Sequence, residues 1–278
     1  TMGRHLAALP LESHTVLAGE LLLRTGDAEQ QAQWLPLVLS GEQRFALAMD
    51  ESQNHCPASA QTQACQDDKG WTLNGEKWFV IDGIGARWLI VTAQVQGEPT
   101  PGLFVVDSNA PGVKVQQLHM ADSRNHARIS FTQVQLPSNA RLESGSTMQA
   151  LDAALDRARV CLASEALGIV RETFERTVGY LKERVQFDVV IGSFQALQHR
   201  VARLYTEIEL LDSCVRGALA AIDADNAELP MLASLAKAKA SDLCEKMLNE
   251  AIQLHGGIGV TDEFDLGLFV KRARIIQQ

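Results

Sequence analysis

Apolar residues recur at different spacings along the chain, and these spacings divide the sequence into three zones. In the first zone, residues 1 to about 42, leucine and alanine recur every three or four positions, which is typical of amphipathic helices. Gly26-Asp27 interrupts this spacing, so we predict two short helices with a break between them. The two helices are too small to bury a core and fold alone.

In the second zone, residues 43–145, the apolar positions alternate or form short runs, which is typical of β-strands. We predict strands at residues 45–49, 71–73, 78–81, 88–93, 103–106 and 129–136. Asn74-Gly75 lies between two of these strands. Since both residues tolerate a positive φ, the dipeptide predicts a type I′ hairpin turn. Further turns are expected at residues 82–83, 98–102 and 109–112.

The third zone, residues 146–278, returns to helical spacing and keeps it nearly to the end. One predicted buried stripe is Leu151, Leu155, Ala158, Leu162, Ala166 and Ile169, and a second is Leu197, Val201, Leu204, Ile208, Leu211, Val215 and Leu219. A third helix is predicted from Pro230 to Gly256-Gly257, and a shorter fourth begins near Thr261-Asp262. Long helices joined by short breaks favour an antiparallel four-helix bundle, and the three zones together favour an α+β multi-domain chain.

Composition and charge narrow the possible partners. Hydrophobic residues make up 46% of the chain and charged residues 21%, which is ordinary for a globular protein with a sizeable core. The 34 acidic and 25 basic residues give a net charge of -9, which argues against nucleic acid as the main partner. No apolar run approaches about 18 residues and no basic leader is visible, so we expect a cytoplasmic protein without a membrane span.

The sequence offers little support for metal or nucleophile chemistry. Five scattered cysteines without a CxxC motif, and seven histidines without paired ligand spacing, indicate reduced thiols and no metal site. His55, beside Cys56, is interpreted as a loop residue rather than as a ligand or nucleophile. Gly256-Gly257-Ile258-Gly259 follows a helix, whereas a dinucleotide fingerprint follows a strand, so we predict a helix end and a turn.

Phosphate binding remains open after these searches. Helix starts expose N–H groups, and arginine or glutamine side chains can assist them in binding an anion. The candidates are Arg184, Gln186, Gln195, Gln198 and Gln253. The alternative is an ordinary solvated polar face, which the spacing alone favours.

A series of short motifs runs in order through the chain. The first are Gln33-Trp34-Leu35-Pro36, Ser40-Gly41-Glu42, Trp71-Thr72-Leu73-Asn74-Gly75-Glu76-Lys77, Pro111-Gly112-Val113 and residues 134–137. The later ones are Leu155-Asp156-Arg157-Ala158-Arg159, Arg184-Val185-Gln186-Phe187, Phe194-Gln195-Ala196-Leu197-Gln198-His199 and Gln253-Leu254-His255-Gly256-Gly257-Ile258-Gly259. In this order the motifs resemble the acyl-CoA dehydrogenases over almost the whole chain. The branch they resemble most is the bacterial one acting on diacid, aromatic or steroid side-chain thioesters, whose members often work as paired unlike subunits.

The resemblance implies a flavoprotein with a helical domain, a central β-barrel-like domain and a second helical domain. Residues 1–42 are then the remnant of the first domain, residues 43–145 the β domain and residues 146–278 the helical bundle. The family carries roughly a hundred residues of helices before the Trp34 region, far more than precede it here. The resemblance also implies FAD as cofactor, acyl-CoA as substrate, electron-transfer flavoprotein as electron acceptor, and a tetramer formed with a sister subunit or with itself.

In the family, the adenosine-diphosphate half of FAD lies across a subunit interface, and six residues match the positions that bind it. They are Arg184, Gln186, Phe187, Gln195, Gln253 and Gly257. An arginine and amides suit a pyrophosphate, and a glycine permits close backbone approach. Arg159 matches an arginine that supports the catalytic centre, and Asp156 matches a position that contacts the CoA moiety. The alternative for these two is an ordinary helix pair worth a few tenths of a kcal/mol.

The chain departs from the family where the flavin ring would lie. Asp50 stands in place of a threonine that hydrogen-bonds the pyrimidine side of the ring, and an ionised carboxylate cannot donate that bond. At about 4 Å the carboxylate would also oppose the negative charge of the reduced ring by roughly 4 kcal/mol. Ile81 stands in place of a hydroxyl residue that reaches flavin N5, and Asn54-His55-Cys56 replaces the family's Gly-Ser-Asp.

The general base is the second departure. The family removes the α-proton of the thioester with a glutamate, and extending the match places this residue just past Gln278. A second branch places its base where Ala158 stands. Asp262, Glu263 and Asp265 match acidic helix-start positions that suit a helix dipole, so a base role for them is not favoured.

Two hypotheses of different class follow. In the first, the chain is an active dehydrogenase that makes a 2,3-enoyl-CoA, forms homo-oligomers and carries its base beyond Gln278. In the second, it is the non-catalytic partner chain of a heterotetramer, which completes the adenine-side pocket of a catalytic sister. The altered Asp50 and Ile81 positions and the absent base favour the second hypothesis.

Overall fold

The computed structural model describes residues 2–277, and its elements follow the order of the three predicted zones. The first zone holds a 3-10 turn at Gly3–His5, a π-helix at Leu11–Gly19 that continues into α1 (Glu20–Thr25), and α2 (Ala28–Ser40). The predicted break at Gly26-Asp27 is confirmed. The Asp27 carboxylate accepts a hydrogen bond from the Gln30 backbone N–H, and the Gln30 side chain accepts one from the Asp27 N–H. This capping box starts α2.

The second zone forms a mixed sheet of eight strands. They are β1 (Phe45–Ala48), β2 (Gln63–Asp67), β3 (Gly70–Ile81), β4 (Trp88–Val95), β5 (Gly102–Asp107), β6 (Val113–His119), β7 (Asn125–Leu136) and β8 (Arg141–Leu142). Their order in the sheet is β6-β7-β3-β2-β4-β5-β8, and β1 pairs with β4 beside this path. β1 and β2 run parallel to β4, whereas the other neighbouring strands are antiparallel.

The hairpin turn predicted at Asn74-Gly75 is wrong, because β3 runs through this dipeptide without turning. The register between β3 and β7 shifts between Leu73 and Gly75, so the dipeptide lies at a β-bulge. A Cβ atom on Gly75 would lie 2.6 Å from the Cα of Thr62, which is far too close. Glycine is needed here for the close approach of another backbone segment rather than for a reversal of the chain.

The third zone contains four helices, as predicted. They are α3 (Thr147–Glu183), α4 (Gln195–Asp223), α5 (Leu229–His255) and α6 (Leu266–Gln277). Pro230 lies in the first turn of α5, and Gly256 ends this helix with φ +65°. No helix among residues 2–277 has an apolar stretch of the length that crossing a bilayer requires.

Two details of the helical zone differ from the prediction. The fourth helix begins at Leu266 rather than near Thr261-Asp262, because a 3-10 turn at Gly256–Val260 and a further turn follow α5. Leu219 is 39% exposed and lies off the buried stripe of α4, since Ala218 occupies the inward position at this turn.

Contacts divide the chain into two compact units. The first, called the sheet unit here, comprises residues 9–158; the second, the bundle unit, combines the residues up to Ala8 with the chain from Arg159 onward. The sheet unit has one apolar cluster formed by its strands, around Trp71 and Phe104, and another where the first-zone helices and the start of α3 cover Phe45 and Leu103. The bundle unit has a single core to which all four long helices contribute.

Candidate functional site

A buried lysine holds the segment that follows β1 in the sheet unit. Lys77, on β3, is 0% exposed. Its ammonium donates hydrogen bonds to Met49 O at 3.0 Å, Glu51 Oε1 at 2.7 Å and Thr92 Oγ1 at 2.9 Å. An ammonium has three N–H donors, so all the donors of Lys77 are used. Residues 49–51 are therefore tied to β3 and β4.

Glu51 is held from its other side by the chain just before β2. Its carboxylate accepts hydrogen bonds from the backbone N–H groups of Gln61 and Thr62. Burial alone would raise the pKa of Glu51, but the hydrogen bonds from Lys77, Thr62 and Gln61 outweigh it and lower the pKa below 4.5. Burial lowers the pKa of Lys77, and the ion pair with Glu51 opposes that shift. Lys77 and Glu51 thus each stabilise the charged form of the other in a poorly solvated place.

Asp50, which stands where the family has a threonine, lies in this tied segment. Its backbone oxygen accepts a hydrogen bond from the Trp78 N–H at 2.7 Å. Its carboxylate Oδ1 lies 3.0 Å from Nδ1 of His55, whose side chain is 47% exposed in the loop that follows. The loop position predicted for His55 is confirmed. The Asp50 side chain presents an acceptor that a histidine engages, and no donor when it is ionised.

The end of β3 bulges just before Ile81, the second altered position. The register between β3 and β7 shifts between Lys77 and Val80, and Phe79 in the bulge has φ +53°, which is unusual for a bulky residue. Ile81 pairs with His126 on β7, and its side chain is 36% exposed. The alkyl side chain of Ile81 brings no hydrogen-bonding group to this exposed strand end.

Asp82 continues this strand end and connects it to the first-zone helices. Its backbone N–H donates to Asn125 O at 2.9 Å, and its own φ is +55°. The hydroxyl of Ser13, a buried residue of the π-helix, donates to Asp82 Oδ2 at 2.5 Å. Ser13 could not be identified from the sequence, because a single serine in an apolar helical pattern carries no distinguishing signal.

Asp156 and Arg159, the residues predicted to serve the substrate and the catalytic centre, both lie on α3. Asp156 is 6% exposed, which is unusual for a carboxylate, and Arg159 is half-buried. Ala158, where a second branch of the family carries its base, is 5% exposed and has no ionisable group. The roles given to Asp156 and Arg159 by the resemblance stay predictions.

The link between α3 and α4 in the bundle unit is a two-stranded hairpin. Its strands are β9 (Val185–Gln186) and β10 (Val189–Val190), and a 3-10 turn at Ile191–Ser193 leads into α4. Phe187 and Asp188 form the tip with φ +55° and +62°. A left-handed conformation costs a residue with a Cβ about 1–2 kcal/mol. The hairpin therefore holds Phe187, which is 85% exposed, in a strained and outward position.

The six residues predicted to bind the adenosine-diphosphate half of FAD gather at one end of the bundle unit. Arg184, Gln186, Phe187 and Gln195 lie in the hairpin link or at the start of α4. Arg200 of α4 pairs with Glu250 of α5 at 2.6 Å, so the end of α5 lies beside the start of α4. Gln253 and Gly257 belong to that end of α5. All six residues are exposed.

The ring of His255 supports the turn that carries Gly257. His255 is 3% exposed, and its ring centroid lies 4.6 Å from those of both Tyr180 and Phe264. Its Nδ1 lies 2.7 Å from Ala251 O, one turn earlier in α5. A Cβ on Gly257 would meet no atom of this chain within 4 Å, so open space lies over its backbone.

Gln198, another phosphate candidate, is used inside the chain. Its amide donates to Gly192 O at 2.9 Å, which fastens the hairpin link to the first turn of α4. By contrast, α4 begins without a side-chain cap at Phe194, so its first-turn N–H groups receive no side-chain acceptor there.

A buried ion pair anchors α6, the helix that leads toward the predicted position of the base. Arg272 donates to both carboxylate oxygens of Glu165 on α3, at 2.9 and 2.7 Å, and each side chain is 9% exposed. Asp265 immediately precedes α6 and pairs with Arg176 at 2.6 Å, in agreement with a helix-start residue. The position just past Gln278, where the base is predicted, lies outside the described residues.

Cysteine and histidine side chains form no further centre in residues 2–277. The five cysteines are free thiols, and no three His, Cys, Asp or Glu side chains in this range are grouped as a metal ion would require. Burial raises the pKa of the Cys244 thiol to about 12.

The sequence analysis also missed Lys77 and Glu51, although a signal was present. Trp71, Leu73 and Lys77 share the same parity along one strand, and all three are buried. A lysine on the inward face of a strand needs an anionic partner. Glu51 lies two residues after the preceding apolar run and is this anionic partner.

Comparison with known proteins places the chain in a family of flavin-dependent oxidoreductases. The profile of the acyl-CoA dehydrogenase middle domain matches residues 46–134, and that of the C-terminal domain matches residues 147–277. The chain belongs to the acyl-CoA dehydrogenase family, whose enzymes use FAD.

Individual relatives are similar over nearly all of the chain. An acyl-CoA dehydrogenase of Bacillus subtilis is 30% identical, and the match covers 96% of this chain and 72% of the relative. The solved structure of the Tcur3481-Tcur3483 steroid ACAD G363A variant is 33% identical with a TM-score of 0.85, covering 99% of this chain and 73% of that one. Butyryl-CoA dehydrogenase from Megasphaera elsdenii is 26% identical with a TM-score of 0.90, covering 96% and 72%. The predicted fold class is confirmed by these matches.

Proposed function

We propose that this chain is the non-catalytic partner subunit of a flavin-dependent acyl-CoA dehydrogenase heterotetramer. The complex converts an acyl-CoA thioester into its 2,3-enoyl form. One contrast carries this proposal: an ionised Asp50 and the alkyl side chain of Ile81 present no donor where a flavin ring needs one, whereas the residues suited to the adenosine-diphosphate half are all exposed.

The flavin-ring half of the site does not fit its group. Flavin N5 and the pyrimidine oxygens accept hydrogen bonds, and the reduced ring carries negative charge on the pyrimidine side. Asp50 offers a carboxylate bonded to His55, and Ile81 offers an alkyl group. The side chains at both positions therefore weigh against ring binding by this chain.

The adenosine-diphosphate half does fit. The Arg184 guanidinium and the amides of Gln186, Gln195 and Gln253 are exposed at one end of the bundle unit, beside the uncapped start of α4. Arginine and helix N–H groups are the usual ligands of a pyrophosphate. Gly257 has open space over its backbone, which allows a ligand to approach closely.

The exposed hairpin supports a partner subunit at this end of the bundle unit. Val185, Phe187, Val189, Val190 and Phe194 are 37–85% exposed within one ten-residue link. Two-stranded hairpins are only marginally stable by themselves, and clustered exposed apolar residues mark interaction surfaces. A neighbouring subunit, with FAD between the two, would cover the cluster and offset the strain at Phe187.

When bound, FAD would supply the hydride acceptor for the β-carbon of the substrate, and electron-transfer flavoprotein would take up the electrons. Arg184, Gln186, Gln195 and Gln253 of this chain would hold the adenosine-diphosphate half. The base that takes the α-proton belongs to the sister chain in this proposal. On this chain, Arg159 and Asp156 serve the substrate side, with Asp156 toward the CoA moiety. The 33% sequence identity with the structure of a steroid ACAD supports an acyl group bulkier than a straight fatty chain.

The second candidate is a catalytically competent homo-oligomer whose base follows Gln278. The observation that favours it is the intact Lys77–Glu51 network, which still holds the segment beside the ring position. In that case this chain would bind its own flavin ring despite Asp50 and Ile81.

The test is a substitution at the adenosine-diphosphate end in the complex purified after co-expression with a sister acyl-CoA dehydrogenase subunit. Arg184→Met should lower the flavin retained by the complex at least about tenfold, because a charged partner of the pyrophosphate is lost. Arg216→Met is the matched control, since Arg216 is an exposed arginine near the other end of α4. Unchanged flavin retention in Arg184→Met, or an equal loss in Arg216→Met, would contradict the proposal.

A further inference from the structure

We propose that a cleft in the sheet unit, between the end of β4 and the second half of β2, binds a neutral ligand through an amide carbonyl. The cleft, called the β2–β4 cleft here, is a cavity of about 320 Å³, which is at the small end of the range for ligand sites. Cys65, Trp71, Glu98 and Arg141 are among the residues that line it. None of them belongs to the residues assigned above to FAD or to acyl-CoA, so this would be a second site.

The cleft exists because two strands of the sheet separate. β2 pairs with β4 only as far as Ala64 and Val95, where β4 ends. β2 itself continues to Asp67 and pairs on its other side with β3. Cys65 and Gln66 are exposed, and no strand among residues 2–277 pairs with them on the β4 side. A free strand edge offers backbone N–H and C=O groups, which suit an extended ligand that contains amide groups.

Two buried N–H donors without an acceptor belong to residues of the lining. Trp71 is 3% exposed, and its indole Nε1 has no hydrogen-bond partner among residues 2–277; the same is true of Arg141 Nε. Only four buried side-chain nitrogen or oxygen atoms in this part of the chain lack a partner, and two of them meet at this cleft. Leaving a buried donor unpaired destabilises a fold, so such a pair marks a place that an acceptor completes.

Both donors are held in place by their neighbours. The Trp71 ring packs edge-on against Phe104, with 5.1 Å between the ring centroids, and the guanidinium carbon of Arg141 lies 5.4 Å from the Trp71 ring centroid. The guanidinium also donates to both carboxylate oxygens of Glu98, at 2.8 and 2.7 Å. A ligand that accepts from these groups therefore does not have to order them first, which favours its binding.

The charges around the cleft favour a neutral acceptor over an anion. Glu98 already compensates the charge of Arg141, and the Glu143 carboxylate lies 3.7 Å from Arg141 Nε, beyond hydrogen-bond distance. Two carboxylates against one guanidinium oppose the entry of a further negative charge. A carbonyl oxygen accepts hydrogen bonds without bringing a charge, so an amide carbonyl suits the two donors.

The test follows the indole N–H signals of the full chain, whose four tryptophans are labelled with ¹⁵N, by NMR. The probe is N-acetylglycine N-methylamide, a neutral compound with two amide carbonyls. The Trp71 signal is identified by its loss in Trp71→Phe and by its nuclear Overhauser contacts with the ring of Phe104. We expect the Trp71 proton to shift downfield in a saturable way as the probe is added, while the other three signals stay in place. No saturable shift of the Trp71 signal, or an equal shift of all four, overturns the inference.

Acetate in place of the amide tests the preference for a neutral ligand. Its carboxylate offers the same kind of acceptor oxygen but adds a negative charge beside Glu98. We expect acetate to bind at least about tenfold more weakly than the amide in the same titration. Equal or tighter binding of acetate overturns the assignment to a neutral ligand.

Cys65→Phe tests the location of the site without touching either buried donor. Cys65 is exposed on β2 and lines the cleft, and phenylalanine suits a strand and fills part of the cavity. The affinity for the probe should fall at least about tenfold. The matched control is Cys56→Phe, since Cys56 is an exposed cysteine in the loop before β2 and does not line the cleft. Equal affinity of the two variants for the probe overturns the inference.

Discussion

Breaking the buried ion pair between α3 and α6 should strongly destabilise the bundle unit. Arg272→Met removes a guanidinium that donates to both oxygens of Glu165 at 2.9 and 2.7 Å, and both side chains are 9% exposed. The methionine fills much of the same space. The main consequence is therefore the loss of two charge-assisted hydrogen bonds in a poorly solvated place.

The expected loss follows from this geometry. Removing one member of a buried ion pair costs about 3–5 kcal/mol. For a chain of this size each kcal/mol shifts the melting temperature by about 2–4 °C, so the expected decrease is roughly 6–20 °C. The double variant Glu165→Met/Arg272→Met should recover most of the loss, because two apolar side chains can replace a buried pair at little cost.

The measurement is unfolding in urea followed by far-ultraviolet circular dichroism, with thermal melts of the same variants. The control is Arg216→Met, whose side chain is 74% exposed and pairs with Asp212 within one helix. That pair is worth at most about 1 kcal/mol. A loss below about 1 kcal/mol in Arg272→Met, or a double variant no more stable than the single one, would show that the Arg272–Glu165 pair does not stabilise the bundle unit in this way.

Three further predictions follow from other buried or strained residues. His14 should stabilise the fold, because its Nδ1 accepts a hydrogen bond from the Phe45 N–H and its Nε2 donates one to Val38 O, both at 3.0 Å. His14→Leu should lower the free energy of unfolding, measured in urea, by about 2–5 kcal/mol. A loss under about 1 kcal/mol would contradict this prediction. Phe187→Asn should raise the free energy of unfolding of the isolated chain by up to about 1 kcal/mol, but it should weaken flavin retention by the complex. A variant in which stability and flavin retention both rise, or both fall, would be inconsistent with a strained contact residue. Burial raises the pKa of the Cys244 thiol from 9.0 to about 12, so the thiol contributes stability below pH 9.0 that is lost as the pH rises toward 12. In melting curves recorded at several pH values, Cys244→Ala should lose less stability between pH 9.0 and 12 than the unsubstituted chain. An equal loss of stability in the two proteins would exclude Cys244 as the source.

Much of the fold follows from the sequence because apolar spacing reports burial directly. The four long helices and most central strands have clear inward faces, and Gly26-Asp27 and Gly256 mark helix ends by their own conformational preferences. Strands without a clear inward face cannot be predicted from apolar spacing. β2 has one buried residue and β6 has none, so neither shows alternation, and both are specified by the strands beside them.

The Asn74-Gly75 error has a different cause. The dipeptide is favourable in a hairpin turn, but a glycine is equally required where another segment approaches the strand, and Thr62 is that segment here. Local preference cannot distinguish these two uses, because the deciding contact is distant in sequence.

The residues of the candidate site also differ in how far the sequence alone predicts them. The residues at the end of the bundle unit form short motifs near helix ends, so they could be named from the sequence. For the Lys77 network, the inward position of the lysine on its strand is visible in the sequence. Its partners are not, since they are spread from residue 49 to residue 92 and meet only in the folded sheet. Asp50 was recognised as altered, yet its engagement with His55 required the structure.

The most direct test of the central claim is the flavin content of the unsubstituted chain, measured as visible absorbance per protomer after purification alone and after co-expression with its sister chain. We expect essentially no flavin on the chain alone and about one flavin per unlike pair in the complex, because each flavin takes its ring site from the sister and its adenosine-diphosphate end from this chain. About one flavin per protomer on the chain alone, bleached by an acyl-CoA, would mean that this chain has a ring site of its own.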